Sequence, residues 1–99
     1  MKFSFHPEAE GEFEQAADYY EEREEGLGYD FAVEVFSAIE LASSYPSAWP
    51  LVEDKIRRVL VNRFPFGIIY AQKEGMIFVL AVMHMHREPD YWKHRILED

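Results

Sequence analysis

The sequence predicts an α+β domain in the order β-α-α-β-β-β, a helical hairpin packed on one side of a small, mostly antiparallel sheet. Three observations predict it. The apolar period changes from two to between three and four at Pro7. Two amphipathic stretches are joined by Gly26-Leu27-Gly28, a connection short enough to make them antiparallel neighbours. From Ile56 onward, three apolar runs alternate with turn signals. A chain of 99 residues accommodates one such domain, residues 1–99.

Lys2-Phe3-Ser4-Phe5-His6 alternates as a short strand, which Pro7 stops. Ala9, Phe13, Ala16, Ala17 and Tyr20 then form one helix face, with Glu8, Glu10 and Glu12 in the early turns where the helix dipole favours negative charge. The first helix is expected to end near Glu25, with Gly26 as a left-handed cap. Gly11 inside it suggests close packing. A second helix follows Gly28, with Phe31, Val35, Ala38, Ala42 and Tyr45 as its stripe and Ala32, Phe36 and Ile39 widening it. Tyr45-Pro46 ends it, Ser44 to Pro50 reads as a turn, and Trp49 as a core plug beneath that turn.

Strands are expected over Ile56 to Val61, Phe66 to Lys73 and Met76 to Met85, the last two joined at Lys73-Glu74-Gly75. In the third run Met76, Phe78, Leu80 and Val82 alternate with Ile77, Val79, Ala81 and Met83, so both faces are apolar and the strand reads as central. His86 to Arg95 is a polar and aromatic tail, with a helical turn after Pro89.

Charge is unevenly placed. Residues 1–54 carry 14 acidic and 2 basic side chains, residues 55–99 carry 5 and 8, and the net is −9. Nucleic-acid-binding domains are usually basic overall, so any phosphate contact would be local to the second half. Cysteine is absent, which removes disulfides and thiolate chemistry and fits a reducing compartment. No signal-peptide pattern opens the chain, and the longest apolar run, Met76 to Met83, is too short to span a bilayer. A cytoplasmic protein without a membrane partner is therefore expected.

Candidate functional residues cluster in the second half. Arg57, Arg58 and Arg63 flank the first strand of the meander and suit phosphate or a partner's carboxylates; the plainer reading is surface charge paired with the acidic helices. In a strand, Arg57 and Arg63 share a face and Arg58 points away. His84 and His86 share a face at the end of the third strand, a spacing metals use, but only Glu88, Asp90 or a distant side chain could supply the third ligand, and no metal is expected. As imidazoles they suit acid–base work, or simply a polar strand end. Tyr91 and Trp92 after Pro89 suit either base stacking or packing of the chain end, the latter favoured for Trp92. The carboxylates of the first helix read as solvated and poor candidates for paired acid–base work. There is no P-loop, dinucleotide fingerprint or nucleophile elbow, and no cofactor is expected.

Taken in order, Phe5-His6-Pro7-Glu8-Ala9, Ala16-Ala17-Asp18-Tyr19-Tyr20-Glu21, Gly26-Leu27-Gly28 with Phe31, Tyr45-Pro46-Ser47-Ala48-Trp49-Pro50, Ile56-Arg57-Arg58, Arg63-Phe64-Pro65-Phe66 and Leu80-Ala81-Val82 through His84, Arg87, Pro89, Asp90 and Tyr91-Trp92 resemble the ParE/RelE superfamily of type II toxin–antitoxin toxins. The resemblance covers nearly the whole chain and is strongest to the ParE-like, plasmid stabilisation branch. It implies a bacterial toxin neutralised by a cognate antitoxin whose C-terminal segment orders on the toxin and whose N-terminal domain binds operator DNA; operator contact would come only through that partner. It implies DNA gyrase as target for a ParE-like member, or the ribosome and its mRNA for a RelE-like ribonuclease. In the latter, Arg87, Tyr91 and His84 or His86 would be catalytic, with Arg57 or Arg58 holding phosphate. Met83 and Met85 stand where basic residues would serve a nuclease, and a charge of −9 suits a ribosome poorly, so gyrase contact ranks first. A third reading is an inactive toxin-fold protein that only binds a partner.

Overall fold

The structure, a computed structural model, describes residues 2–98. The switch of period at Pro7 is a true boundary. β1 (Phe3–Phe5) ends there and α1 (Pro7–Arg23) begins with the proline in its first turn. His6 caps it, its Nδ1 accepting from the Glu8 amide at 3.1 Å. α1 ends at Arg23, two residues before the expected stop, because Glu24 turns extended. Gly26 does take the left-handed conformation, φ 88°, but it serves as the N-cap of α2 (Leu27–Ser44). Gly26 has no side chain to cap with, and Glu21 supplies the missing acceptor: its two carboxylate oxygens take the Gly26 and Gly28 amides at 2.9 and 3.0 Å. Gly28 thus lies inside α2, where a Cβ would meet the Ala17 carbonyl at 2.6 Å. That approach is what lets the two helices lie side by side. Gly11 faces open space, and nothing in the structure explains it.

The second half forms β2 (Leu51–Glu53), β3 (Ile56–Leu60), β4 (Phe66–Lys73) and β5 (Met76–His84), closed by a 3-10 turn over Lys93–Glu98. The sheet order is β1-β5-β4-β3-β2, with β1 parallel to β5 and every other pair antiparallel. β2 was not legible: three residues are too few to show a period. β5 is interior, as its two apolar faces require, although β4 is the middle strand. Glu74 and Gly75, at φ 54° and 77°, make the β4–β5 hairpin turn, and the ladder closes at Lys73 opposite Met76.

The helices cover one face of the sheet. There Phe31, Val35, Ile39, Val59, Ile68, Tyr70 and Val79 form a continuous core. Phe31 is its hub, with ring centroids 5.0 to 6.0 Å from Phe13, Tyr20, Phe64 and Phe66. Trp49 packs against the edge of this core, as expected of a plug. The opposite face carries a smaller cluster, Ile56, Ile69, Leu80, Ala81 and Met83, covered by Trp92 and partly by Tyr91 and Ile96.

Strict alternation along β5 does not hold. Ile69 pairs with Ala81 and Tyr70 with Val79, so Leu80 is an extra residue, a β-bulge. Leu80 and Ala81 both join the cluster away from the helices, and Val82 returns to the helix side with Ile77 and Val79. The expected grouping of Val82 with Phe78 and Leu80 is corrected accordingly. Beyond the bulge every side chain changes face, and His84 comes to lie on the helix side.

Candidate functional site

Three features converge where β5 runs past β1. β1 pairs only with Ile77, Phe78 and Val79, so from Leu80 onward the outer edge of β5 has no strand beside it. Side chains take its place. Arg95 donates to the Leu80 carbonyl at 2.9 Å, and a Glu12 oxygen accepts from the Val82 amide at 3.0 Å. Arg95 and Glu12 are themselves joined by two contacts, at 3.1 and 2.9 Å, a forked guanidinium–carboxylate pair. The Arg95 side chain is 3% exposed and that of Glu12 13%. Glu8 adds a second carboxylate at 3.3 Å from Arg95 and itself reaches His94 at 3.4 Å. The hydrogen bond from His94, ahead of the opposing effect of desolvation, holds the Glu8 carboxyl below its ordinary range. Neither Glu12 nor Arg95 was singled out from the sequence, and the expectation that the α1 carboxylates are merely solvated fails for Glu12. The available signal was its place one step off the Ala9, Phe13 and Ala16 stripe.

Arg87 and Tyr91 build onto this pair. The Arg87 guanidinium lies 3.7 Å from the Tyr91 ring centroid and 3.4 Å from Glu12. Arg95 lies 5.0 Å from the same ring. The Tyr91 hydroxyl is buried without a hydrogen-bond partner among the described residues. Burial first, and then the neighbouring Glu12 charge, push its ionisation well above the usual phenol range.

Beside this cluster a groove of about 640 Å³ opens between α1 and the ends of β4 and β5. Ala16, Tyr20, Phe66 and Val82 supply apolar walls; Gln15, Arg23, His84 and Arg87 supply polar ones. His84 stacks edge-on to Phe66 at 5.1 Å, and its Nδ1 accepts from the His86 amide at 3.1 Å. A neutral imidazole used this way carries its proton on Nε2. His86 is exposed, with its ring 5.1 Å from that of His84. Among the described residues no cluster of three metal-ligating side chains forms.

The structure therefore brings together Arg87, Tyr91, His84 and His86, and it does not bring the other candidates to them. Arg57 lies on the helix side of β3 and spends a guanidinium N–H on the Trp49 carbonyl at 2.6 Å. Arg58 lies on the opposite side, across Gly67, where a Cβ would come within 3.1 Å of it. Arg63 is tied to α2 through Asp30 and Glu34 at 3.7 and 3.9 Å, the pairing with acidic helices that the sequence allowed. Trp92, 1% exposed, is a core side chain of the second face, the packing role favoured for it.

No protein-family model and no curated protein matches the chain. Among solved structures, a chain of a chromosomal ParDE toxin–antitoxin system from P. aeruginosa is similar, with a TM-score of 0.69 at 14% identity, over 87% of this chain and 97% of that one. The fold is thus ParE-like, an α+β helical hairpin on a sheet, in keeping with the resemblance drawn from sequence. No helix among the described residues is long and apolar enough to cross a membrane.

Proposed function

We propose that this chain is the toxin of a type II toxin–antitoxin system, kept silent by a cognate antitoxin, and that it acts on DNA gyrase by protein–protein contact. The fold shared with a ParDE chain supports the toxin and its antitoxin partner. The state of Tyr91 carries the preference for contact over cleavage. An acid–base residue works best with an ionisation near the operating pH and with its hydroxyl in reach of substrate. The Tyr91 hydroxyl is buried, its ionisation is raised, and its ring lies against the guanidinium of Arg87. Arg87 in turn is drawn to Glu12. These groups serve to hold the chain end against β5. The partner reads the surface around them, and operator DNA is reached only through the antitoxin.

Induction of the chain without its antitoxin tests this. Growth arrest with broken DNA and intact transcripts is expected; absence of any growth effect removes the toxin reading. The second reading, a ribosome-dependent ribonuclease, is favoured by one observation: His84 and Arg87 line the same groove. It requires transcripts cleaved on translating ribosomes, with cleavage lost in Tyr91→Phe combined with Arg87→Ala.

A further inference from the structure

We infer that the outer face of α2 is a self-association surface, on which a second copy of this chain docks across a two-fold axis at Ser37. The inference goes beyond the toxin reading and does not depend on it, since it rests on α2 alone.

α2 carries two stripes. Phe31, Val35, Ala38, Ile39 and Ala42 are buried against the sheet and α1. Tyr29, Val33, Ser37 and Leu41 recur every four residues on the outward side, and Tyr45 continues the row at the C-cap. Tyr29 is 74% exposed, Val33 43%, Leu41 47% and Tyr45 62%. Spacing alone groups Tyr45 with the buried stripe; the structure turns it outward, because the chain leaves helical geometry there, at φ −133° and ψ 65°. The exposed side of α1 is acidic instead, with Glu10, Glu14, Asp18 and Glu22. On α2, Asp30 and Glu34 are engaged by Arg63, and Glu40 alone of its acidic residues stands exposed at the flank of the row.

The row reads the same in both directions: tyrosine, aliphatic, serine, aliphatic, tyrosine. A two-fold contact requires self-complementarity of this kind. Tyr29 then meets Tyr45 of the second copy, Val33 meets Leu41, and Ser37 meets itself. Side-chain size follows the same geometry. Rows at four-residue spacing come alongside each other when two helices cross at about −50°. Crossed helices touch at the centre and diverge toward their ends. The smallest side chain of the row sits at the centre and the largest at the ends.

The area suits a weak dimer. At a rise of about 1.5 Å per residue the row is about 24 Å long, and half a helix circumference along it is about 500 Å² per copy. The resulting total, about 1,000 Å², meets the lower bound for a specific interface. Two copies at −9 each repel, and the acid-poor row is where the helical layer repels least. The row has no lysine or arginine to draw an anionic lipid surface.

Sedimentation of the full-length chain over micromolar to millimolar concentrations tests this. Expected is a monomer–dimer equilibrium that tightens as salt rises, since salt screens the mutual repulsion and spares the apolar contact. Leu41→Glu should weaken it about tenfold or more, because symmetry counts the change twice, with melting close to that of the parent. The chain has no cysteine, so single thiols report the axis. Ser37→Cys should close a disulfide with its own copy under mild oxidation. Val33→Cys and Leu41→Cys chains should cross-link faster mixed than either does alone. A monomer at every concentration, a dimer that salt dissolves, a dimer indifferent to Leu41→Glu, or Val33→Cys cross-linking to itself as fast as to Leu41→Cys would each overturn the proposal. None of these outcomes bears on the growth test, which reads the toxin and not the dimer.

Discussion

The two faces of the sheet are held by different physics. The helix side is held mainly by apolar burial, with Phe31, Val35, Ile39, Ile68 and Val79 at 0% exposure. The other side is smaller, and it is covered by a short chain end that a charged pair ties down. Burial is non-directional and tolerates sliding. A forked ion pair is directional and depends on both partners being present. Of the four buried polar atoms without a partner among the described residues, three belong to Tyr91, Trp92 and Arg95. The second face is therefore expected to fail on charge and pH changes that leave the first untouched.

The largest expected effect is on the helix side. Phe31→Ala should cost about 4 kcal/mol in urea unfolding, since it empties the hub of the ring cluster. A cost below about 1 kcal/mol would break the comparison by showing that this face is loosely packed. Next, Arg95→Met should cost about 3 kcal/mol, because Glu12, largely buried, loses its forked partner and keeps only the Val82 amide and the longer contact to Arg87. Adding Glu12→Leu should restore part of the loss, and strict additivity of the two costs would mean that the pair is not coupled. Gly28→Ala should cost about 2 kcal/mol through the overlap with the Ala17 carbonyl, again on the helix side and insensitive to salt.

The smallest effects are in pH. Glu8 has its ionisation lowered in the fold, so its contribution is present above the ordinary carboxylate value of 4.5 and lost as pH falls below it. Glu8→Gln should flatten that acid limb slightly. Tyr91 has its ionisation raised, so its burial favours folding below pH 10 and is lost as pH rises through the value it has in the fold. Tyr91→Phe should leave neutral stability nearly unchanged and lessen the alkaline loss. An unchanged alkaline limb would place the sensitivity in Tyr20 and Tyr70, whose ionisations burial also raises.

What the sequence determined by itself was everything that follows from local period and turn chemistry: both helices with most of their buried stripes, four of the five strands and the β4–β5 turn. Apolar spacing reports which way neighbouring side chains point, and that needs only nearby residues. The tertiary structure decided the rest. Glu12 and Arg95 stand 83 residues apart, and neither is marked until β1 ends early and leaves β5 main-chain groups to be satisfied. The bulge at Leu80 is invisible in an all-apolar run, because either face accepts either residue. Yet it is that one extra residue that turns His84 toward Phe66 and the groove. Helix and strand are set by neighbours in the chain; the site is set by which backbone groups the finished sheet leaves unpaired.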